Sequence, residues 1–251
     1  MKVLVIGETC VDKFVYCDAK RLSPEAPVPV LTPLKTVENP GMAGNTIANV
    51  RAIALEGCEM NYITQKSPIT KTRYVEEKSN HMFLRVDEGE DNSCKFKWSL
   101  DMDIILGRAD IVIVSDYNKG FLSNADLKEI AYKSKLSILD SKRQLTNDII
   151  KDFTFVKLNE SERLNNPQLT TDNIITTLGK KGAEYKNVLF ESPNPQDTID
   201  VSGAGDTFTA AFIVKYYQLQ DERAAIKFAN RKAAEVVTQR GVVVPYLETQ
   251  E

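Results

Sequence analysis

The sequence predicts an α/β protein: a mainly parallel central sheet covered by helices on both sides, with a small antiparallel β lid beside it. Short runs rich in Val and Ile recur at KVLVIGE (2–8), IVIVSD (111–116), LSILDS (136–141), FVKLN (155–159) and NIITTLG (173–179), with helical material between several of them. The runs lack strict alternation, as expected of strands buried on both faces by crossover helices. Two other stretches, one rich in proline and one shaped as a hairpin, read as a separate antiparallel layer.

Composition narrows the function classes. Of 251 residues, 42% are hydrophobic and 27% charged, with a net charge of −3. That balance suits a soluble globular chain with no general attraction to nucleic acid or an anionic membrane. The length fits one α/β unit with a small appendage. The N-terminal MKVLVIGETCVDK has too short an apolar run for a signal peptide, and no stretch reaches transmembrane length, so a cytoplasmic protein is expected. The cysteines Cys10, Cys17, Cys58 and Cys94 form no C-x-x-C pair, which predicts reduced, mostly packed thiols and neither a zinc site nor a disulfide framework. The single histidine, His81, falls in an alternating stretch and is expected to face solvent or a neighbour rather than a metal.

Taken in order, the run at 2–8 opens the sheet. Phe14 to Glu38 carries Pro24, Pro27, Pro29 and Pro33 among β-forming residues, which suits edge or irregular strands. A helix begins near Met42, with Ile47, Val50 and Leu55 near helical spacing and a stop at Gly57. YVEEKSNHMFLRVDE at 74–88 reads as a hairpin turning near Ser79-Asn80 and completes the lid. Most of the later apolar runs end in a polar residue or glycine. Ligands of open α/β sheets collect at the carboxyl ends of strands, which singles out Gly7, Asp116, Asp140, Asn159 and Gly179. From Gly205, GDTFTAAFIVKYY places Phe208, Ala211, Phe212 and Lys215 at helical spacing. A last helix from about Asp221 to Gln239 carries a narrow stripe of Ala225, Ala229, Ala233 and Val236, suited to close packing on the sheet. No repeat or low-complexity linker interrupts the chain.

The most chemically pointed stretch is DVSGAGD at 200–206, where two glycines precede an aspartate that opens a helix. A glycine-rich turn at a helix N-terminus offers main-chain N–H groups to a phosphate, and Asp206 could take a proton from an attacking hydroxyl. In isolation the pattern is equally a strand-to-helix turn capped by Asp. A second glycine-bearing helix start, NPGMAGNT at 39–46, carries Gly41 and Gly44, with Asn45 and Asn49 four apart on one face. Amides there could bind a polyol, or simply cap and solvate the helix. Asp12 follows the first strand and could accept two hydroxyls or serve as a turn residue. Asn159 and Glu162, three apart at a strand end, could hold hydrated Mg²⁺ or cap a helix. TLGKKG at 177–182 sets Gly179 and Gly182 in a loop suited to a nucleotide or to a tight hairpin. Lys71, Arg73, Arg85 and Lys119 could bind a phosphate carried by a sugar, although most such charges are solvated surface. The later glycines of a G-x-G-x-x-G turn beginning at Gly7 are absent, as is any G-x-x-x-x-G-K-[ST] loop, which argues against dinucleotide enzymes and P-loop kinases.

Together these segments resemble the ribokinase-like, or PfkB, carbohydrate kinases over nearly the whole chain. DVSGAGD matches the family's D-[TS]-x-G-A-G-D signature, Gly41–Asn49 its N-terminal sugar motif, Asn159-x-x-Glu162 its metal motif and TLGKKG its nucleotide loop. Within the family, RLSPEAPVPVL (21–31), PITKTRY (68–74), LRVDEGE (84–90) and SDYNKG (115–120) are similar to the D-glycero-β-D-manno-heptose 7-phosphate kinases. The resemblance implies a ribokinase-like three-layer sandwich forming one kinase domain over residues 1–251, with the lid at about 14–38 and 70–90. It implies transfer of the ATP γ-phosphate, with Mg²⁺, to the anomeric 1-hydroxyl of the heptose phosphate, giving a 1,7-bisphosphate for surface-polysaccharide precursors, and a possible homodimer through the lid. Asp206 would be the base, and Gly203, Ala204 and Gly205 would supply N–H groups to the transferring phosphoryl. Asp12, Gly41, Asn45 and Asn49 would bind the sugar, with Lys71, Arg73, Arg85 and Lys119 on its phosphate. Asn159, Thr177, Gly179, Gly182 and Asn230 would bind the nucleotide, and Asn159 with Glu162 the metal through water. Some members are fused to a nucleotidyltransferase, which this chain, ending soon after Pro245, is expected to lack.

Three departures stand out. Ten residues separate Gly57 from Pro68, where relatives carry a further strand and helix, and eleven separate Glu162 from Ile174, where another helix is usual. Met42 stands where the sugar motif commonly has glycine.

Overall fold

The computed structural model describes residues 1–54, 57–92, 94–193, 203–237 and 245. Its strands are β1 (Lys2–Gly7), β2 (Thr9–Leu22), β3 (Pro29–Met42), β4 (Glu59–Ile63), β5 (Thr70–Glu76), β6 (Met82–Glu88), β7 (Ile111–Asp116), β8 (Ser137–Ser141), β9 (Phe155–Asn159), β10 (Ile174–Thr177), β11 (Ala183–Tyr185) and β12 (Val188–Phe190). The helices are α1 (Ala43–Ile53), α2 (Leu100–Arg108), α3 (Asn124–Lys133), α4 (Asn147–Ile150), α5 (Glu160–Leu164), α6 (Ala204–Leu219) and α7 (Glu222–Val237).

Eight strands form the main sheet in the order β12-β11-β10-β9-β8-β7-β1-β4. All pairings from β10 to β4 are parallel, and β11 and β12 add antiparallel partners at the other edge. The lack of alternation in the central runs follows from burial on both faces. Val3, Val5, Ile111, Ile113 and Ile138 join one core with α1, α6 and α7. Leu4, Ile6, Val112, Val114 and Leu139 join the other, beneath α2, α3 and α4. Removing about 25 cal/mol per Å² of apolar surface from water drives both layers together. The expected packing of the α7 stripe on the sheet is corrected: Ala225, Ala229 and Val236 are buried and Ala233 partly so, but these small residues bring α7 close mainly to α6, and it meets the sheet chiefly at β12.

The lid is a four-stranded sheet in the order β3-β2-β5-β6. It is larger than the sequence indicates, since β2 starts at Thr9 directly after β1 and β3 continues to Met42, where α1 begins. Its outer pairs are antiparallel, but β2 and β5 run parallel, so the lid is mixed rather than wholly antiparallel. The prolines sit as their chemistry requires: Pro24 and Pro27 between β2 and β3, and Pro29 and Pro33 on β3, an edge strand. Irregular pairing flanks Cys17↔Pro33. The hairpin between β5 and β6 turns with Asn80 at φ +60°.

Two expectations need correction. The short link after Gly57 keeps a strand: β4 pairs with β1 at the sheet edge. Its sequence EMNYI is half exposed and therefore lacks the apolar signature of the central strands. Helix α1 ends at Ile53 rather than at Gly57, because Ala54 turns extended while its N–H still reaches Val50. Leu55, Asp200–Ser202 and Thr238–Gln239 lie outside the described residues. Cys10 and Cys17 are buried, Cys58 is half-buried and Cys94 exposed. His81 is exposed and packs edge-on against Phe83. No helix among the described residues is long and apolar enough to cross a membrane.

Candidate active site

A cavity of about 600 Å³ opens at the carboxyl ends of β8, β9 and β10, against the start of α6. Gly203, Ala204, Gly205 and Asp206 line it. Gly203 is the N-cap of α6 at φ +84°, ψ −7°, a left-handed conformation open to glycine, and it turns the first N–H groups of the helix toward the cavity. Those N–H groups have no partner within the helix, and the helix dipole adds to their attraction for an anion. Beneath the turn lies Lys157 of β9, almost fully buried, with Nζ 2.9 Å from Asp140 Oδ2. A Cβ on Gly205 would stand 2.8 Å from that Nζ, so the ammonium sits directly under the glycine turn.

Asp206 is 6% exposed, and burial together with the nearby charge of Asp140 pushes its carboxyl up to about 6. Asn45 Nδ2 donates to its Oδ2 at 2.8 Å, Thr46 Oγ1 lies 3.5 Å from Oδ1, and the Tyr117 hydroxyl lies 3.2 Å from Oδ1. Asn45 therefore meets the expected base. Asn49 does not reach an open surface: it is fully buried one turn behind, donating to Asn45 Oδ1 at 3.0 Å and accepting from Thr207 Oγ1 at 2.7 Å. Its geometry is that of a brace between α1 and α6.

Gly41 lies against Asp12, and a Cβ there would stand 2.1 Å from Asp12 Oδ2 and 2.5 Å from Cys10 Sγ. Only glycine allows this approach. Met42, at φ +57° and ψ −133°, holds a backbone conformation that L side chains seldom adopt, and its side chain packs with Cys10 and Ile69 under Tyr117. Strain of this kind costs on the order of 1–3 kcal/mol and persists where surrounding structure over-determines it.

The four cations expected on a sugar phosphate are brought to the lid side, each beside a carboxylate. Arg73 pairs with Asp12 at 2.5 Å, and Arg85, opposite Arg73 in the β5–β6 ladder, holds Asp87 through two bonds of 2.7 Å. Lys71 and Lys119 share Glu90 at 3.4 and 2.6 Å. Burial raises the Glu90 carboxyl, but Lys119 and Lys71 outweigh it and hold the group below its ordinary value.

On the other side, Asn159 and Glu162 form a capping box at the start of α5, with Glu162 N–H donating to Asn159 Oδ1 at 2.8 Å and Asn159 N–H to Glu162 Oε2 at 2.7 Å. The helix-cap alternative is thus realised. Asn159 also lines the cavity, and Lys142 pairs closely with the remaining oxygen, Oε1, of Glu162. Asp140 Oδ1 is buried with no hydrogen-bond partner among the described residues, 3.7 Å from Lys142 Nζ. A carboxylate oxygen that accepts no hydrogen bond and shares Lys142 with Glu162 fits hydrated Mg²⁺, which asks few direct protein ligands. No group of three or more His, Cys, Asp or Glu able to hold a metal by themselves occurs among the described residues. Thr177, Gly179, Gly182 and Asn230 all line the cavity, Gly179 in the turn Gly179–Lys181. Asn230 Nδ2 donates to Phe190 O at 2.7 Å, tying α7 to the end of β12.

Sequence reasoning missed Lys142, Lys157, Tyr117 and Glu8. A lysine inside the apolar run FVKLN is the signal for Lys157, because a buried ammonium requires a partner. Lys142 directly follows β8, at a carboxyl end where ligands collect. Glu8, fully buried, accepts N–H groups from Tyr117, Lys119 and Phe121 at 2.9, 3.0 and 3.3 Å and so shapes the loop that carries Tyr117.

Residues 58–250 match the profile described as pfkB family carbohydrate kinase. The chain is 25% identical over 299 residues to a bifunctional protein HldE of a Nitratiruptor species, covering all of this chain and 64% of that protein. The chain spans about three-fifths of the length of the curated relatives it matches. Among solved structures, it is similar to a ribokinase from Thermotoga maritima (TM-score 0.73, 19% identity, 96% of this chain and 94% of that one). It is also similar to Arabidopsis thaliana ribokinase complexed with ribose and ATP (TM-score 0.69, 16% identity, 96% and 93%). These likenesses establish a ribokinase-like fold, and the profile match over most of the length establishes that the chain belongs to the pfkB family of carbohydrate kinases.

Proposed function

We propose that this carbohydrate kinase transfers the γ-phosphoryl group of ATP to the 1-hydroxyl of D-glycero-β-D-manno-heptose 7-phosphate, giving a 1,7-bisphosphate used for surface-polysaccharide precursors. The observation that carries the reaction type is the Asp206 carboxylate, held by Asn45 beside the open N-terminus of α6 at one end of a nucleotide-sized cavity. Asp206 would take the proton from the attacking hydroxyl, and burial that lifts its carboxyl to about 6 makes it a better base while leaving it ionised at neutral pH. The first N–H groups of α6 would receive the charge on the transferring phosphoryl, supported by Lys157 beneath. Asn159, Glu162 and Asp140 would hold the water shell of Mg²⁺, which when bound would offset phosphate charge. Thr177, Gly179, Gly182 and Asn230 would form the nucleotide side. Asp12, Gly41 and Asn45 would orient the sugar, with Asn49 bracing Asn45.

The choice of a heptose 7-phosphate rests on the lid segments and on the relatives named bifunctional protein HldE. One observation favours a second reading, a kinase of another sugar. Lys71, Arg73 and Arg85 of the lid and Lys119 of the loop after β7 already face Asp12, Asp87 and Glu90, so a phosphate must displace a carboxylate to bind tightly. The exposed lid residues Leu34, Met82 and Leu84 support pairing of the lid with a second copy of the chain.

ADP release measured with heptose 7-phosphate beside hexoses, pentoses and their phosphates tests the assignment. Preferred turnover of heptose 7-phosphate is expected. Preference for another acceptor selects the second reading, and bound sugar without ADP release would mean a non-catalytic binding protein.

A further inference from the structure

The Tyr117 hydroxyl stands 3.2 Å from Oδ1 and 3.4 Å from Oδ2 of Asp206. A hydroxyl shared between both oxygens of a carboxylate occupies the place from which an acceptor would hand over its proton. The donors on Asp206 are unequal. Asn45, at 2.8 Å, makes an ordinary bond, whereas the Tyr117 contact exceeds the usual O–H···O length of roughly 2.5–3.0 Å and is the easier one to give up.

Tyr117 also belongs to both halves of the site. It lines the nucleotide cavity beside Asp206 and covers Cys10, Met42 and Ile69 on the lid side. Its N–H is anchored on Glu8, and its ring is near both Lys71 and Lys142, whose Nζ atoms are 5.9 and 5.5 Å from the ring centroid. With the backbone tied, the hydroxyl leaves Asp206 by rotation of the side chain.

We propose that the Tyr117 hydroxyl stands in for the acceptor, occupying Asp206 until a sugar bound in the acceptor site displaces it and so denying the base to water. The inference rests on the reading of Asp206 as the base of a sugar kinase. The reaction held in check is hydrolysis of ATP. In it a water oxygen bonds to the γ-phosphorus, the bond from that phosphorus to the β–γ bridging oxygen breaks, Asp206 takes the water proton, and ADP leaves with inorganic phosphate. Tyr117 itself stays protonated, because burial and the charges of Asp206 and Asp140 push its phenol well above its ordinary range.

Tyr117→Phe keeps the ring and removes the hydroxyl. With ATP and Mg²⁺ but no sugar, its ADP release is expected to exceed the wild-type rate by about three- to tenfold, the scale of one ordinary hydrogen bond. In Tyr117→Phe combined with Asp206→Asn the excess should vanish, which separates it from hydrolysis elsewhere. On the wild-type protein, a 1-deoxy analogue of the preferred acceptor, at a concentration shown by competition to fill the site, should also raise ATP hydrolysis. Acceptor-independent release at or below the wild-type rate in Tyr117→Phe overturns the stand-in role, whether or not a sugar is turned over. If Tyr117→Phe fails to fold, absence of stimulation by the analogue overturns it instead. Failure of the wild-type protein to phosphorylate any sugar would count against the kinase reading.

Discussion

Replacing Asp206 with Asn should abolish turnover and stabilise the protein together. In the folded state its carboxyl is lifted from 3.8 to about 6, first by burial and then by the charge of Asp140. The folded protein thus holds that proton more tightly than the unfolded chain does. Stability contributed by this group is greatest below pH 3.8, falls as pH rises through the window from 3.8 to about 6, and above it the full cost of the buried charge is present. At about 1.4 kcal/mol per unit the cost at pH 7 is on the order of 3 kcal/mol. An amide brings an N–H₂ group toward the donors Asn45 and Tyr117, and one mismatched hydrogen bond returns about 1 kcal/mol. Asp206→Asn is therefore expected to gain about 2 kcal/mol at pH 7, measured by urea unfolding with an unchanged slope. The gain should shrink toward zero as the pH is lowered to about 4. Equal stability of the two proteins at pH 7, or a gain that grows on acidification, would refute the placement of a strained, buried carboxylate at this position.

Two further substitutions probe the surroundings of that carboxylate. Gly41→Ala places a methyl 2.1 Å from Asp12 Oδ2, so Asp12 or the β3 backbone must move. The expected cost is about 1–3 kcal/mol, with a rise in acceptor KM that exceeds any change in ATP KM, checked by denaturation and two-substrate kinetics. Lys157→Met leaves Asp140 buried without its main partner. A loss of about 3 kcal/mol is expected, at the low end for a broken buried pair because Lys142 remains nearby, and Asp140→Asn in the same chain should restore part of it.

The central strands were legible because burial on both faces leaves unbroken Val and Ile runs, and the start of α6 because glycine and aspartate have distinct jobs there. The edge strand β4 was not, since half of its surface meets water and EMNYI carries no apolar run. The parallel pairing of β2 with β5 is a long-range choice that no local pattern encodes. Asn45 and Asn49 illustrate the limit at the site itself. Their spacing of four correctly puts both on one face of α1, but the packing of α6 decides that Asn45 reaches Asp206 while Asn49 is sealed behind it by Thr207. Tyr117 and Lys142 come from loops at strand ends, where sequence alone does not say which side chains turn inward.

The most direct test is the pH dependence of sugar-dependent ADP formation. With the preferred acceptor, kcat/KM of the wild-type protein should fall on acidification with a midpoint near 6, as Asp206 takes up its proton, and Asp206→Asn should show no such turnover at any pH. Sugar-dependent ADP formation that persists in Asp206→Asn would contradict the account.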